Sequence, residues 1–301
     1  MPQFKTLTLT LAMWGYFISS PLVQPTQAQE WLPVRGGINF GISGMAVLPE
    51  QDNLQSFLIV HDNKKKDEGR LAIVTIDNQG QTQYLPLEWL TKVESPIDLE
   101  SVTTVPGQKS SFMASTSFGQ VYHFWLDAAN NQVSIIKIFS LPNITEGINL
   151  EGFALQEING KLLAVWAHRG QNQEPAVIYW GLLDLNKYEI IPQGSAKLTV
   201  PWPIGEVRHI SDLKIDSAGA VYITSATDNG DDGPFASAVY VAGVFSFQSN
   251  QFTLKVNRDL VPLYRLGFHK VEAIELVSGA TGGVFLGTDD ENMGSSLWVE
   301  Q

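Results

Sequence analysis

The chain contains no cysteine among its 301 residues. Disulfides and thiolate metal sites are therefore excluded, and stability must come from packing and sheet closure. Basic residues are also few, with 19 lysines and arginines against 31 acidic residues and a formal net charge of −12. This balance argues against nucleic acid and anionic membrane surfaces as partners, and it favours cations or simple solubility.

Long apolar runs are absent beyond the N-terminus. Residues 1–28 have the features of a secretory signal peptide: Lys5 gives a positive start, Leu7–Val23 is an interrupted apolar stretch, and Thr26-Gln27-Ala28 resembles a cleavage site. A retained membrane anchor is the alternative left open. We therefore expect a periplasmic or secreted monomer, with residues 31–301 as one domain and no stable membrane insertion after signal removal.

A strand-like segment, here called the head, recurs five times at intervals of 51 to 61 residues. Most heads are followed by three more strand-like segments, separated by turn residues such as Asn159-Gly160. In the first repeat the last of these segments is Thr82–Trp89. Repeats of this length made of strands predict an all-β fold, a single β-propeller with one blade per repeat. Five blades are favoured, and six remain open if 187–208 or 256–267 holds another blade. The heads begin at Gly41, Asp98, Asn149, Ile210 and Lys270.

The fifth repeat is one strand short, and the segment Trp31–Arg35 ahead of the first head is left over. If this spare segment pairs with the last blade, the closed propeller has no long unpaired edge. The sequence therefore predicts that the N-terminal strand completes the last blade.

Aligned heads place acidic or hydroxyl side chains in one column, and the first strand of a propeller blade lines the central channel. The second strand of each blade returns to the same face, so its last residues are expected beside the column. The opposite face receives plain turns. The column consists of Ser43, Glu100, Glu151, Asp212 and Glu272, and the strand ends supply Asp62, His168, Arg169, Asp228 and Asp289.

So many carboxylates on one rim would repel each other, and two arrangements would relieve this. Some could hold raised pKa values and share protons, or a divalent cation could neutralise them. Oxygen ligands without cysteine favour calcium. A structural role of the head acids in fixing blade registry is the alternative left open. The predicted metal ligands are Glu100, Glu151, Asp212, Glu272, Asp62 and Asp228.

Three further side chains are predicted to be catalytic. His168 or Asp289 would serve as a base, and Arg169 would hold an anionic substrate, because arginine makes paired hydrogen bonds to phosphate and carboxylate groups. No GxSxG elbow is present, which disfavours serine-based acyl transfer.

The same short motifs resemble the phytase-like and SdiA-regulated families of bacterial β-propellers. They are Asp98-Leu99-Glu100, Asn149-Leu150-Glu151-Gly152, Val271-Glu272 with Thr288-Asp289-Asp290, and Ile42-Ser43-Gly44. Alkaline phytases of that wider group hydrolyse phytate with calcium ions in an acidic channel. The resemblance implies that Glu100, Glu151, Asp212 and Glu272 match those channel acids.

Three functions, of two kinds, follow from the sequence. The first is an exported, divalent-cation-dependent hydrolase of phosphate esters, in which the cation lowers the pKa of a bound water. The alternatives are a propeller that binds a small ligand or a protein without catalysis, and a calcium-dependent enzyme similar to lactonases. An anionic ester or a lactone is the expected small-molecule partner.

Overall fold

The computed structural model describes residues 31–49, 54–90, 95–277 and 282–299. These residues form five small sheets arranged as a five-bladed β-propeller, which confirms the predicted fold class and the favoured blade number. The predicted signal peptide, residues 1–28, lies outside the described residues. Within the described ranges, no helix has the length and hydrophobicity needed to cross a membrane.

The strands follow the chain blade by blade. The chain enters through β1 (Trp31–Arg35) and a 3₁₀ turn at Ile38–Phe40. The first blade holds β2 (Gly44–Val47), β3 (Gln55–Val60), β4 (Leu71–Ile76) and β5 (Thr82–Pro86). The second holds β6 (Glu88–Leu90), β7 (Leu99–Thr104), β8 (Ser111–Thr116), β9 (Gln120–Asp127) and β10 (Gln132–Ser140).

The remaining three blades are built in the same way. The third blade holds β11 (Leu150–Ile158), β12 (Lys161–His168), β13 (Ala176–Asp184) and β14 (Glu189–Leu198). The fourth holds β15 (Val207–Ile215), β16 (Ala220–Thr227), β17 (Ala236–Gln248), β18 (Gln251–Val256) and β19 (Tyr264–Gly267). The fifth holds β20 (Val271–Leu276), β21 (Val284–Thr288), a 3₁₀ turn at Glu291–Met293, and β22 (Ser295–Val299).

The ring closes as the sequence predicts. Strand β1 pairs antiparallel with β22, with Trp31 opposite Trp298 and Leu32 opposite Leu297. The fifth blade therefore has four strands, in the order β1-β22-β21-β20.

One predicted strand is broken in the structure, and one stretch that was left open as part of a sixth blade joins the fourth blade instead. The predicted fourth strand of the first blade, Thr82–Trp89, breaks after Pro86, which has no N–H to donate. The piece beyond the break becomes β6 and pairs in parallel with β10 of the second blade. The stretch 256–267 forms no sixth blade, because β19 joins the fourth blade beside β17.

The apolar core lies between blades. Five clusters of buried side chains each join residues from two neighbouring blades, so every blade contributes to two clusters. Trp166 and Tyr240 are among the largest fully buried side chains. Replacing a residue such as Trp166 by alanine would cost about 3–5 kcal/mol of stability.

The innermost strands approach each other closely around the channel. A Cβ added at Gly44 of β2 would lie 2.6 Å from Ser101 Cα of β7, and one at Gly152 of β11 would lie 2.8 Å from Leu213 Cγ of β15. Glycine at these two positions therefore permits the tight packing of the first strands.

Candidate functional site

The head residues and the ends of the second strands share one face of the propeller, as predicted. Leu99 of β7 pairs with Thr116 at the end of β8, and β20 and β21 show the same relation through Val271 and Thr288. The residue after Leu99 bulges out of the ladder, and it is the glutamate of the column. We call the ionisable side chains at this face the rim: Asp62, Glu100, Glu151, Arg169, Arg208, Asp228, Lys270, Glu272 and Asp289.

The fourth blade departs from the predicted column. In β15 the pairing passes from Arg208 opposite Ala226 to Asp212 opposite Thr224, so three residues of β15 oppose one residue of β16. Counted from the turn, Asp212 is the fourth paired residue of β15, the place of Ser101 in β7 and Ala273 in β20, whereas Glu100 and Glu272 lie one residue beyond that place. The alignment of Asp212 with those glutamates was therefore wrong. Arg208, on the far side of the wide bulge, is the residue of β15 whose side chain reaches Glu151 and Glu272.

Asp212 lies deeper, inside the strand, and is fully buried. Its two carboxyl oxygens accept hydrogen bonds from the backbone N–H groups of Leu213 (2.7 Å) and Ile274 (3.0 Å). Burial raises the pKa of Asp212 to about 8. This carboxyl thus links the fourth and fifth blades and takes no part in the rim.

Arg208 neutralises much of the acidic rim. Its Nη1 lies 2.6 Å from Glu272 Oε1 and 3.8 Å from Glu151 Oε1, and its Nη2 lies 2.9 Å from Asp228 Oδ1. Burial alone would raise the pKa of Asp228, but the Arg208 guanidinium outweighs this effect and lowers it. Asp228 is therefore ionised at neutral pH.

Two more cations extend this ion-paired part. Arg169 Nη1 contacts Glu151 Oε1 at 3.3 Å, and Lys270 Nζ contacts Glu272 Oε1 at 3.1 Å and also Glu291. Burial alone would lower the pKa of Lys270, but nearby Glu272 raises it. The third, fourth and fifth blades are thus joined by alternating charges.

The other part of the rim holds acids without such partners. Among the described residues, Asp62, Glu100 and Asp289 form no ion pair within 4.0 Å. Burial raises the pKa of Asp62 to about 6 and raises those of Glu100 and Asp289 well above their ordinary values. These acids hold protons more readily than an exposed carboxyl.

Glu100 and Glu151 lie at equivalent positions of neighbouring blades. Glu151 belongs to the ion-paired part of the rim, and Glu100 belongs to the part without cationic partners. Both are buried, and the charge of Glu151 contributes to the raised pKa of Glu100. Burial raises the pKa of Glu151 to about 7, whereas Arg208 and Arg169 act to lower it. Of the two, only Glu151 lies beside arginines, so its ionised form is the more stabilised.

His168 lies beside the rim and contacts none of its acids. Its Nδ1 lies 2.9 Å from the Asn149 carbonyl oxygen, and its Nε2 lies 3.5 Å from the exposed carboxylate of Glu174. Ser43, the first member of the column, is buried, and its Oγ has no hydrogen-bond partner among the described residues. The structure thus brings together Asp62, Glu100, Glu151, Arg169, Asp228, Glu272 and Asp289, but not His168 or Asp212.

Arg208 and Lys270 are the rim residues that sequence reasoning missed. Lys270 directly precedes the Val271-Glu272 motif, and the sequence pattern marks it only as the first residue of a head. Arg208 could not be found by counting equally along the two strands, because between Asp212–Thr224 and Arg208–Ala226 strand β15 has two more residues than β16.

The spacing of the acidic side chains bears on the predicted calcium site. In the part of the chain that the structure describes, no three His, Asp or Glu side chains are grouped closely enough to hold a metal ion. Asp62, Glu100 and Asp289 are the oxygen donors that are not already ion-paired. Calcium binding and the ligand roles remain predictions.

Comparison with known proteins gives no family for this chain. No protein-family model matches it, and no curated protein does. Among solved structures it is similar to an exo-β-1,3-galactanase from Clostridium thermocellum, with 11% identity and a TM-score of 0.47 over 85% of this chain and 58% of that one. A GH43 endo-arabinanase from Bacillus licheniformis has 11% identity and a TM-score of 0.46, over 88% and 95% of the two chains. This chain therefore spans little more than half of the galactanase, and these similarities assign no activity to it.

Proposed function

We propose that the rim is the active site of a hydrolase that works by general acid–base catalysis with its own carboxyl groups. Glu100 would be the acid and Glu151 the base. The observation that supports this most directly is their placement at equivalent positions of adjacent blades, one without a cation and the other beside two arginines. Paired carboxyl groups whose surroundings separate their pKa values mark an acid and a base.

Such a pair suits the hydrolysis of a glycosidic bond. The protonated carboxyl donates its proton to the leaving oxygen, while the ionised carboxylate activates a water molecule or attacks the sugar directly. Arg169 and Arg208 favour the ionised form of Glu151 and oppose the effect of burial, which raises its pKa. A glycoside is therefore the proposed substrate class, and export, as predicted from residues 1–28, would bring the enzyme to extracellular glycans.

Phosphate-ester hydrolysis with calcium, as the phytase-like resemblance implies, is the second candidate. The observation that favours it is the group of acids without cationic partners, Asp62, Glu100 and Asp289. Calcium would have to draw these side chains closer together, since as they stand they are not grouped closely enough to hold an ion. Once bound, it would ionise the carboxyls and supply a water of lowered pKa. A protonated Glu100 and a calcium ion at the same place exclude each other, so the two candidates can be separated.

The test is turnover of aryl glycosides, oligosaccharides, phosphate monoesters and lactones by residues 31–301, with calcium or with a chelator. We expect glycoside turnover that the chelator leaves unchanged. Glu100→Gln and Glu151→Gln should each lower kcat by about 10²–10⁴-fold with the fold retained, because each removes one proton-transfer group. The exposed Glu157→Gln is the matched control and should keep full activity.

The pH profile gives an independent check. Activity should increase as the pH rises through about 7, where Glu151 loses its proton, and should decrease at higher pH when Glu100 ionises. Calcium-dependent turnover of phosphate esters, together with a calcium-induced rise in Tm, would replace the glycosidase proposal with the second candidate. A folded protein that turns over none of the substrates would indicate a binding propeller instead.

A further inference from the structure

We propose that Arg208 is the positioning residue of this site and that it fixes the carboxylates of Glu151 and Glu272 relative to the reacting bond. This inference rests on the proposed acid–base function. Arg208 would touch no reacting atom itself, and its effect would pass through Glu151.

The contacts of Arg208 span three blades. It belongs to the fourth blade, and its guanidinium meets Glu151 of the third, Glu272 of the fifth and Asp228 of its own hairpin. Neighbouring rim cations continue the network, with Arg169 on Glu151 and Lys270 on Glu272. Among the described rim side chains, Arg208 forms the largest number of ion pairs.

The backbone around Arg208 is held on both sides. The Val207 N–H donates to Asn172 Oδ1 at 2.9 Å, and the Val207 carbonyl accepts from the Asn172 N–H at 3.0 Å. The Asp228 N–H donates to the Glu206 carbonyl at 2.7 Å. The start of β15 is thus hydrogen-bonded to a loop of the third blade and to the residue that follows β16. The wide bulge comes directly after this start.

The contacts of Arg208 require the planar, forked guanidinium group of an arginine. Nη1 contacts Glu272 and approaches Glu151, while Nη2 contacts Asp228. The lysine ammonium is a single point charge and cannot reproduce two separate donor directions in one rigid plane. Lysine at this position would keep the charge but would hold the carboxylates less firmly.

The test compares kcat and KM of wild-type protein, Arg208→Met and Arg208→Lys on the best glycoside found. A positioning error of about 1 Å can cost 10²-fold in rate, so Arg208→Met should lower kcat by about that factor with KM within about threefold. Arg208→Lys should recover part of the loss, at least about tenfold over the methionine variant. Arg258→Met, at an exposed loop position, is the control and should match the wild type.

A second variant covers the case in which Arg208→Met does not fold, because it leaves buried carboxylates unpaired. Arg208→Met with Glu272→Gln removes one of those charges, and we expect it to fold and to remain slow. Wild-type kcat in a folded Arg208→Met, full activity of Arg208→Lys, or a rise in KM alone would each overturn the positioning role. If the wild-type protein turns over no substrate, the proposed function fails first and this inference fails with it.

Discussion

Arg208 and Asp212 lie four residues apart on one strand and meet opposite surroundings. Arg208 faces three carboxylates at the rim, whereas Asp212 is enclosed by protein and bonded to two backbone N–H groups. The wide bulge between them separates a residue of the site from a residue of the framework. A residue's role here follows from its place in the strand ladder rather than from its charge.

The buried carboxyl of Asp212 should make stability depend on pH. Its pKa rises from an ordinary value of 3.8 to about 8 on folding, so its contribution is complete below about pH 4 and is lost as the pH rises through 8. Each proton of difference amounts to roughly 1.4 kcal/mol per pH unit. Asp212→Asn cannot ionise and should show a smaller decline in the free energy of unfolding between pH 5 and 8.

Urea unfolding at several pH values measures this effect. At pH 5 the variant should be less stable by about 1–3 kcal/mol, since asparagine has one carbonyl oxygen for two N–H donors. The exposed Asp259→Asn serves as the control. Equal pH slopes for wild type and Asp212→Asn would contradict the prediction.

At the scale of elements, two short strands extend blades beyond four strands. Strand β6 crosses from the first blade to pair with β10 of the second, and β19 returns to pair with β17 of the fourth. Strand β1 closes the ring in a different way, because it supplies the outermost strand of a blade whose other strands come from the end of the chain.

Removing β1 should therefore open the molecule at one place. A protein that starts at Gly37 would lose Leu32 and Val34 from the cluster between the fifth and first blades, and it would expose the edge of β22. We expect a Tm at least 10 °C lower and concentration-dependent association, because exposed edge strands pair between molecules. Calorimetry and size-exclusion chromatography measure both effects.

A protein that starts at Trp31 is the control for this deletion and should behave as a stable monomer. An unchanged Tm after loss of β1 would show that the pairing with β22 contributes little to closure.

The five-bladed ring and its closure could be predicted because they depend on local patterns: heads such as Leu150-Glu151, turns such as Asn159-Gly160, and one spare strand. Asn159 and Gly160 both adopt positive φ, as a two-residue hairpin turn requires. The ion pairs of Arg208 could not be predicted in the same way. They depend on the number of residues in a bulge and on which blades meet. Neither of these two features can be predicted from a short stretch of sequence.

At the scale of the whole molecule, Lys214 of the fourth blade crosses the centre of the ring. Its buried Nζ donates to the carbonyl oxygens of Met45 on β2 (2.8 Å) and Val102 on β7 (2.6 Å). Glu275 of the fifth blade lies 3.8 Å away and balances the charge. Lys214 thus links strands from four blades, and not all of these blades are neighbours in the ring.

Lys214→Met should weaken the whole ring. It leaves two buried carbonyls without a donor, at a cost of about 1–3 kcal/mol each, and it leaves Glu275 without its cation. We expect a clear loss in the free energy of unfolding, measured by urea titration at neutral pH. The exposed Lys197→Met should match the wild type. A variant as stable as the wild type would show that water or a neighbouring group replaces the ammonium.

The position of Lys214 also limits what can pass through the central channel of the propeller. The side chain spans the channel from the fourth blade to β2 and β7, so we expect that a polymer cannot thread from one face to the other. Whatever enters must approach from the rim and leave by the same opening. If the proposed hydrolysis takes place at the rim, a product that has not yet left would block the next substrate, and inhibition by product should be competitive.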